Sequence, residues 1–311
     1  MTAVILGAGG STASGAAAPV LSAVRSLKVT SSNGSVDLLA DPFDLLRGPS
    51  GLAGAPFDVD LATSPSFDGA VLRSERRIVG SVDLLLPLLV RSSSTSAVAA
   101  ALADLRRVLS PYAEDVQLVG SLESGATLSL PVMRYQAEGD SWWNSSWVAK
   151  YTTVPLRLRA LDPWWSGDQR SRTWSVGGAG GSFFPILPLS LAESSVLGEA
   201  NPLEVGGDLD TWPTWTITGP FTSLTITRGD GVTWSVDEPL LTGETLTVLT
   251  DPRETGRVSH SVDGNWWQYV APGSELFRLR TESESVLVEA VGADATTTVT
   301  VAWSPRFEVL L

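Results

Sequence analysis

The stretch Arg159-Ala160-Leu161-Asp162-Pro163-Trp164-Trp165 restricts this chain more than any other. Pro163 disfavours a helical conformation at Asp162 and has no N–H to give to a ladder, so a strand must end here. The two tryptophans after it bring large apolar surfaces to the exit point, where they cover the end of a core. We read the stretch as the seam between two domains. A mixed segment with one good helix precedes it, and short strands dominate the C-terminal half.

A chain of 311 residues holds two domains, each with its own core. Apolar residues make up 43%, which argues against wholesale disorder, and charged residues only 18%. Abundant Gly, Pro, Ser and Thr favour short strands and turns over long helices. The formal charge of −13 opposes a nucleic-acid-binding surface, since Lys28 and Lys150 are the only lysines. With no cysteine, disulfides, thiolate nucleophiles and Cys-based zinc sites are excluded, and a single histidine, His260, excludes a His-rich metal site. The first 24 residues are uncharged and broken by Gly7, Gly9, Gly10, Gly15 and Pro19. That pattern suits neither a secretory signal nor a membrane span, so we expect an N-terminal arm over 1–25 and no membrane insertion.

In the first domain, 26–165, Ser32-Asn33-Gly34-Ser35 separates two short apolar runs, and Asn-Gly tolerates the positive φ of a tight hairpin. Val71–Val79 and Val82–Val90 read as strands. The second is nearly all apolar, which predicts burial on both faces, and its Leu84–Leu89 portion reads as core in preference to interface. The spacing predicts a helix over 94–109. A serine cluster supplies its N-cap, Val98, Leu102, Leu105 and Leu109 form one face, and Arg106 and Arg107 complement the dipole in the last turn. Trp147–Ala160 reads as a long strand, with Pro155 marking a bulge or an edge. Trp142, Trp143 and Trp147 are expected at a loop that meets another subunit.

Residues 166–211 read as a connector, in which Gly177-Gly178-Ala179-Gly180-Gly181 is a flexible joint and Ser182–Asp210, with Pro185, Pro188 and Pro202 and little periodicity, is strand-poor. From Trp212 to Leu311 the pattern is all-β. Strands at Trp215–Thr218, Leu224–Arg228, Val232–Val236, Thr245–Leu249, Arg257–Val262, Trp266–Val270 and onward are punctuated by turns such as Gly229-Asp230-Gly231 and Asp263-Gly264-Asn265. This predicts an antiparallel β-sandwich.

The order of these features resembles the distal tail (Dit) proteins, or minor tail proteins, of long non-contractile-tailed phages of the siphovirus type. The resemblance is carried by the 159–165 stretch, by Gly207-Asp208-Leu209-Asp210-Thr211-Trp212-Pro213-Thr214-Trp215-Thr216-Ile217-Thr218-Gly219-Pro220, by Ala271-Pro272-Gly273-Ser274-Glu275, and by Val299-Thr300-Val301-Ala302-Trp303-Ser304-Pro305-Arg306-Phe307-Glu308. It implies a mainly β chain: a belt-like β-domain with one packed α-helix, then a galectin-like antiparallel β-sandwich on the outside of a ring. The ring, usually hexameric, forms the baseplate hub. It joins the tail tube protein to tail-tip, tail-associated and receptor-binding proteins in a virion assembled in the host cytoplasm. The resemblance carries over no catalytic residue.

Other chemistries are weaker. His260 beside Asp263-Gly264 fits a hairpin turn better than a hydrolase triad, and no Gly-x-Ser-x-Gly elbow is present. Asp237-Glu238, Glu282 and Glu284 fall in turns where solvated carboxylates are the norm, which disfavours a glycosidase pair. Asp208 and Asp210 make half of a calcium loop with no completing spacing. No enzyme, metal or cofactor is therefore expected. The twelve tryptophans support one alternative, a carbohydrate-binding module that contacts host surface glycans through the C-terminal sandwich. Its candidate contacts to glycan or partner are Trp234, Trp266, Trp267 and Tyr269. In a strand, adjacent Trp266 and Trp267 would point to opposite faces, so at most one of them is core.

Overall fold

A computed structural model of the chain divides into two units, one of residues 1–163 with 309–311 and one of residues 164–308. It describes residues 24–52, 54, 57–58, 61–63, 70–72, 78–134, 150–175, 195–198, 202–281 and 283–310. The arm expected over 1–25 lies outside these except for its last two residues, as do the Gly177–Gly181 stretch and the Trp142, Trp143 and Trp147 loop.

The first unit opens with the expected hairpin. Strands β1 (Val24–Ser31) and β2 (Gly34–Asp37) pair antiparallel across the two-residue turn Ser32-Asn33. Gly34 takes φ +127°, a value that L side chains rarely adopt. Strand β3 is Phe43–Leu45. Two small ladders come next: β4 (Phe57–Asp58) pairs with β7 (Ile78–Val79), and β5 (Leu61–Thr63) with β6 (Ala70–Leu72). The long strand β8 is Val82–Arg91, and helix α1 is Thr95–Val108. Then come β9 (Gln117–Leu122), β10 (Thr127–Pro131), β11 (Met133–Arg134) and β12 (Tyr151–Ala160).

These strands form one row in the order β2-β1-β9-β10 and a sheet in the order β11-β12-β8-β3. Ser94 caps α1 as its Oγ accepts the N–H of Ala97 at 3.2 Å. The apolar face of the helix, Val98, Ala101, Leu102, Leu105 and Val108, is buried. At the other end Arg107 clips the helix to the first hairpin. Its Nη1 donates to Asn33 O at 2.9 Å, while Asn33 Nδ2 donates to Arg107 O at 3.1 Å.

One reading of this unit is corrected and another narrowed. Strand β8 is buried on one face only: Val82, Leu84, Leu86, Leu88 and Val90 are core, whereas Leu85, Pro87 and Leu89 are half-buried. Of the two alternatives at Pro155 the bulge is not formed, because β12 and β8 stay in register from Tyr151–Arg91 to Ala160–Val82, with Pro155 opposite Pro87, while on the other side of β12 strand β11 pairs only with Leu158 and Arg159. Pro87 turns its carbonyl toward Leu46, whose N–H donates to it at 2.8 Å. The nitrogen of Pro87 therefore also faces away from β12, and two prolines meet without a lost ladder bond.

In the second unit β13 (Trp165–Ser166) pairs with the last strand, β25 (Arg306–Phe307). The connector stretch 166–211 carries three short strands, two of them in the part, 182–210, that is expected to be strand-poor. Within it lie β14 (Arg170–Ser175), β15 (Ser195–Gly198) and β16 (Pro202–Glu204). The remaining strands are β17 (Thr214–Thr218), β18 (Ser223–Arg228), β19 (Thr233–Val236), β20 (Thr245–Leu249), β21 (Val258–His260), β22 (Gly264–Asn265), β23 (Ser283–Val291) and β24 (Thr298–Trp303). One sheet runs β14-β24-β17-β20-β21-β22 and the other β15-β23-β18-β19, with β16 on β23.

All these pairs are antiparallel, and the buried side chains of both sheets form one core. Its centre is aromatic. Trp215 stacks on Trp174 with centroids 6.0 Å apart and meets Trp234 and Phe277 edge-on. Trp303 is held by its indole N–H, which donates to Val205 O at 3.1 Å.

Candidate functional site

Two surfaces, one in each unit, combine exposed apolar area with organised polar groups. In the first unit it is the outer face of the β8–β12 ladder. Leu85, Pro87 and Leu89 stand opposite Arg157, Pro155 and Thr153. Tyr151 is 69% exposed and Met133 49% exposed at its margins. Ion pairs close both ends. Arg159 grips Asp83 with two hydrogen bonds, Nε to Oδ1 at 2.6 Å and Nη2 to Oδ2 at 2.9 Å, and Arg91 meets Asp44 at 2.9 Å. The Arg159 hydrogen bond and charge hold the Asp83 carboxyl below the ordinary carboxylate range, against a smaller opposing effect of burial. An apolar centre with a charged rim is the composition of a protein-binding patch.

In the second unit it surrounds Trp267. The sequence predicts a strand over Trp266–Val270, but the chain forms a 3-10 turn at Trp267–Tyr269, and β21 stops at His260. Local side chains cause this change. Nδ1 of His260 accepts the N–H of Asp263 at 3.0 Å and that of Val262 at 3.4 Å, which bends the chain directly after β21. With Nδ1 an acceptor, Nε2 carries the proton and points at Glu244 Oε2, 3.3 Å away. Asp263 Oδ2 accepts the indole N–H of Trp266 at 3.3 Å, and Asn265 Oδ1 accepts the N–H of Trp267 at 3.0 Å.

The candidate glycan residues therefore separate. Trp234 is fully buried in the core and Trp266 is 3% exposed, so neither reaches a ligand in the folded unit, and both are withdrawn as contacts. Tyr269 is half-buried against Trp266, edge to face at 5.2 Å. Trp267 alone stands out, 48% exposed. Arg257 lies over its ring, 5.5 Å from the centroid. The guanidinium is itself fixed, Nη2 donating to Thr250 O at 2.8 Å and Nε to Leu249 O at 3.3 Å. Sequence reasoning missed Arg257 and Glu254 as site residues, because Arg257 reads as the start of a strand and Glu254 as part of an ordinary polar turn.

The other chemistries of the sequence find structural roles. His260 is buried, with its ring stacked on Trp266, Nδ1 spent on the turn and Nε2 against Glu244. Glu284 is buried and accepts the N–H of Arg280 at 3.3 Å. Asp208 accepts the N–H of Glu308 at 3.3 Å. Among the described residues no group of three or more His, Asp or Glu side chains is placed to hold a metal ion.

No family model and no curated protein matches this sequence. Solved structures do match. The Dit protein of phage SPP1, described as a paradigm of the hub adsorption apparatus in phages that infect Gram-positive bacteria, superposes with a TM-score of 0.58 at 16% identity. The match covers 90% of this chain and 99% of that one. The phage P2 baseplate in its activated conformation with calcium matches at a TM-score of 0.43 and 12% identity, over 89% of this chain and 97% of that one. The chain thus has the mainly β, Dit-like fold that its sequence resembles.

Proposed function

We propose that this chain is a structural virion protein, a distal-tail hub component whose copies close into a ring, a hexamer, between the tail tube and the tail-tip and receptor-binding proteins. It works in the tail tip, after assembly in the host cytoplasm, and transforms no substrate. One observation carries the reading: the fold of a phage hub protein is shared along nearly the whole length of both chains.

The outer β8–β12 face supports it from this chain's own residues. A ring needs heterologous contacts, in which one patch of a protomer meets a different patch of the next. Leu85, Pro87, Leu89, Met133 and Tyr151 supply apolar surface for one such patch, and the Asp83–Arg159 and Arg91–Asp44 pairs border it. Light scattering of the purified full-length chain over rising concentration tests the reading. A single mass at a small multiple of 32.8 kDa is expected, and a strict monomer that also fails to associate with a tail tube protein overturns it.

A further inference from the structure

The geometry points to a carbohydrate site in the second unit: the cleft beside Trp267 takes one neutral hexopyranose ring of a glycan. The cleft has a volume of about 240 Å³ and is lined by Glu254, Gly256, Arg257, Asn265 and Trp267. Drug-sized pockets run to roughly 300–1,000 Å³, so this one suits a single ring.

Its lining matches a sugar in two ways. The indole of Trp267 is a flat apolar platform, covered in part on one face by Arg257, and its exposed remainder is the complement of the axial C–H face of a pyranose. Around that platform stand planar polar groups of mixed character. Asn265 Oδ1 is taken by the N–H of Trp267, which sets the amide plane and leaves Nδ2 as a donor. Glu254 contributes a carboxylate that only accepts, and Arg257 a guanidinium that only donates. Neighbouring sugar hydroxyls, each donor and acceptor at once, satisfy such a set. A phosphate or a nucleic-acid strand does not, because Glu254 and the overall charge of −13 repel it.

The site is also held ready before any ligand arrives. Arg257 is tied to two backbone carbonyls. The turn bearing Trp267 is anchored by buried Trp266, stacked on His260 at 4.1 Å. Preorganisation of this kind lowers the ordering cost of binding. Two tryptophans adjacent in sequence thus divide the work, Trp266 holding the core and Trp267 facing outward.

The inference goes beyond the hub reading and does not rest on it. A ring that ignores sugars sinks only the site, and a monomer that binds sugar sinks only the ring. The test is saturation-transfer NMR on the full-length chain with oligosaccharides of glucose, galactose, N-acetylglucosamine and rhamnose, each compared with its free monosaccharide. At least one is expected to bind with a dissociation constant on the order of millimolar or tighter. Trp267→Ala is expected to weaken that binding by about tenfold or more. Glu254→Gln, which keeps shape and removes charge, is expected to weaken it severalfold with the fold intact. Leu241→Ala, at an exposed apolar residue outside the cleft lining, is expected to leave it unchanged. Binding of none of the four sugars overturns the site, and so does binding that survives both Trp267→Ala and Glu254→Gln at full strength.

Discussion

His260 and Trp266 lie ring on ring, with centroids 4.1 Å apart and planes 12° from parallel. The stack converts a stretch of strand-like composition into the turn that exposes Trp267. The histidine contributes both a flat surface and an acceptor for two backbone N–H groups. His260→Ala removes both at once. We expect it to destabilise the second unit by roughly 2–4 kcal/mol, measured by denaturant unfolding. The fluorescence of the Trp266–Trp267 turn should become more solvent-exposed in the variant while the fold persists.

Asp230 sits at the tip of the β18–β19 hairpin, between two arginines. Arg228 grips it with two hydrogen bonds, Nε to Oδ1 at 2.9 Å and Nη2 to Oδ2 at 2.7 Å, and Arg280 reaches it from the 278–284 segment. The Arg228 hydrogen bonds hold the Asp230 carboxyl far below the ordinary range, against a smaller opposing effect of burial. Asp83, Asp251 and Asp294 are displaced in the same direction. A folded-state pKa below the unfolded value, about 3.9, means that the contribution is complete above that pH. It is lost progressively as pH falls from there through the folded-state pKa. Stability measured by urea unfolding should therefore decline as pH falls below about 4, modestly because these residues are mostly exposed. Asp230→Asn should be less stable at neutral pH and show a shallower loss in acid.

Leu310, fully buried, packs over Gly120 in the first unit. A Cβ on Gly120 would approach Leu310 Cδ1 to 2.5 Å, so the side chain has to move. Gly120→Ala should cost about 1–3 kcal/mol through overpacking. In a Leu310→Ala background the same substitution should cost much less, and a double-mutant cycle by denaturant unfolding reads the coupling. Additive costs would mean that the two residues do not share the space.

Local signals were the legible ones. The Ser32–Gly34 turn, the capped and amphipathic α1, and the alternation along Leu156, Leu158 and Ala160 all depend on residues near one another in sequence. The hidden features depend on distant partners. Strand β14, Arg-Ser-Arg-Thr-Trp-Ser, is polar and mostly exposed, and it is a strand because the edge of β24 accepts it in register from Arg170–Trp303 to Ser175–Thr298. Strand β16 likewise exists by pairing with β23. In β8 the apolar run conceals the alternation, because both faces carry leucine and only packing distinguishes them. Of the candidate glycan residues, Trp234 and Trp266 have the same side chain as Trp267, and burial separates them.

The outer face of β8 provides a test of assembly that leaves the core alone. Leu85→Asp and Leu89→Asp place carboxylates in the centre of the apolar patch, and Leu89 already stands beside Asp44. Both residues are half-buried in the single chain. Each substitution should lower the monomer's unfolding midpoint only slightly while abolishing self-association in light scattering. A large loss of monomer stability with unaltered assembly would assign these leucines to the core instead.

Electron microscopy of the purified full-length chain addresses the central claim most directly. The account predicts closed rings of several copies around a central opening, and it predicts that Leu85→Asp disperses them. A field of single, separate particles at every concentration, with and without a tail tube protein, would contradict it.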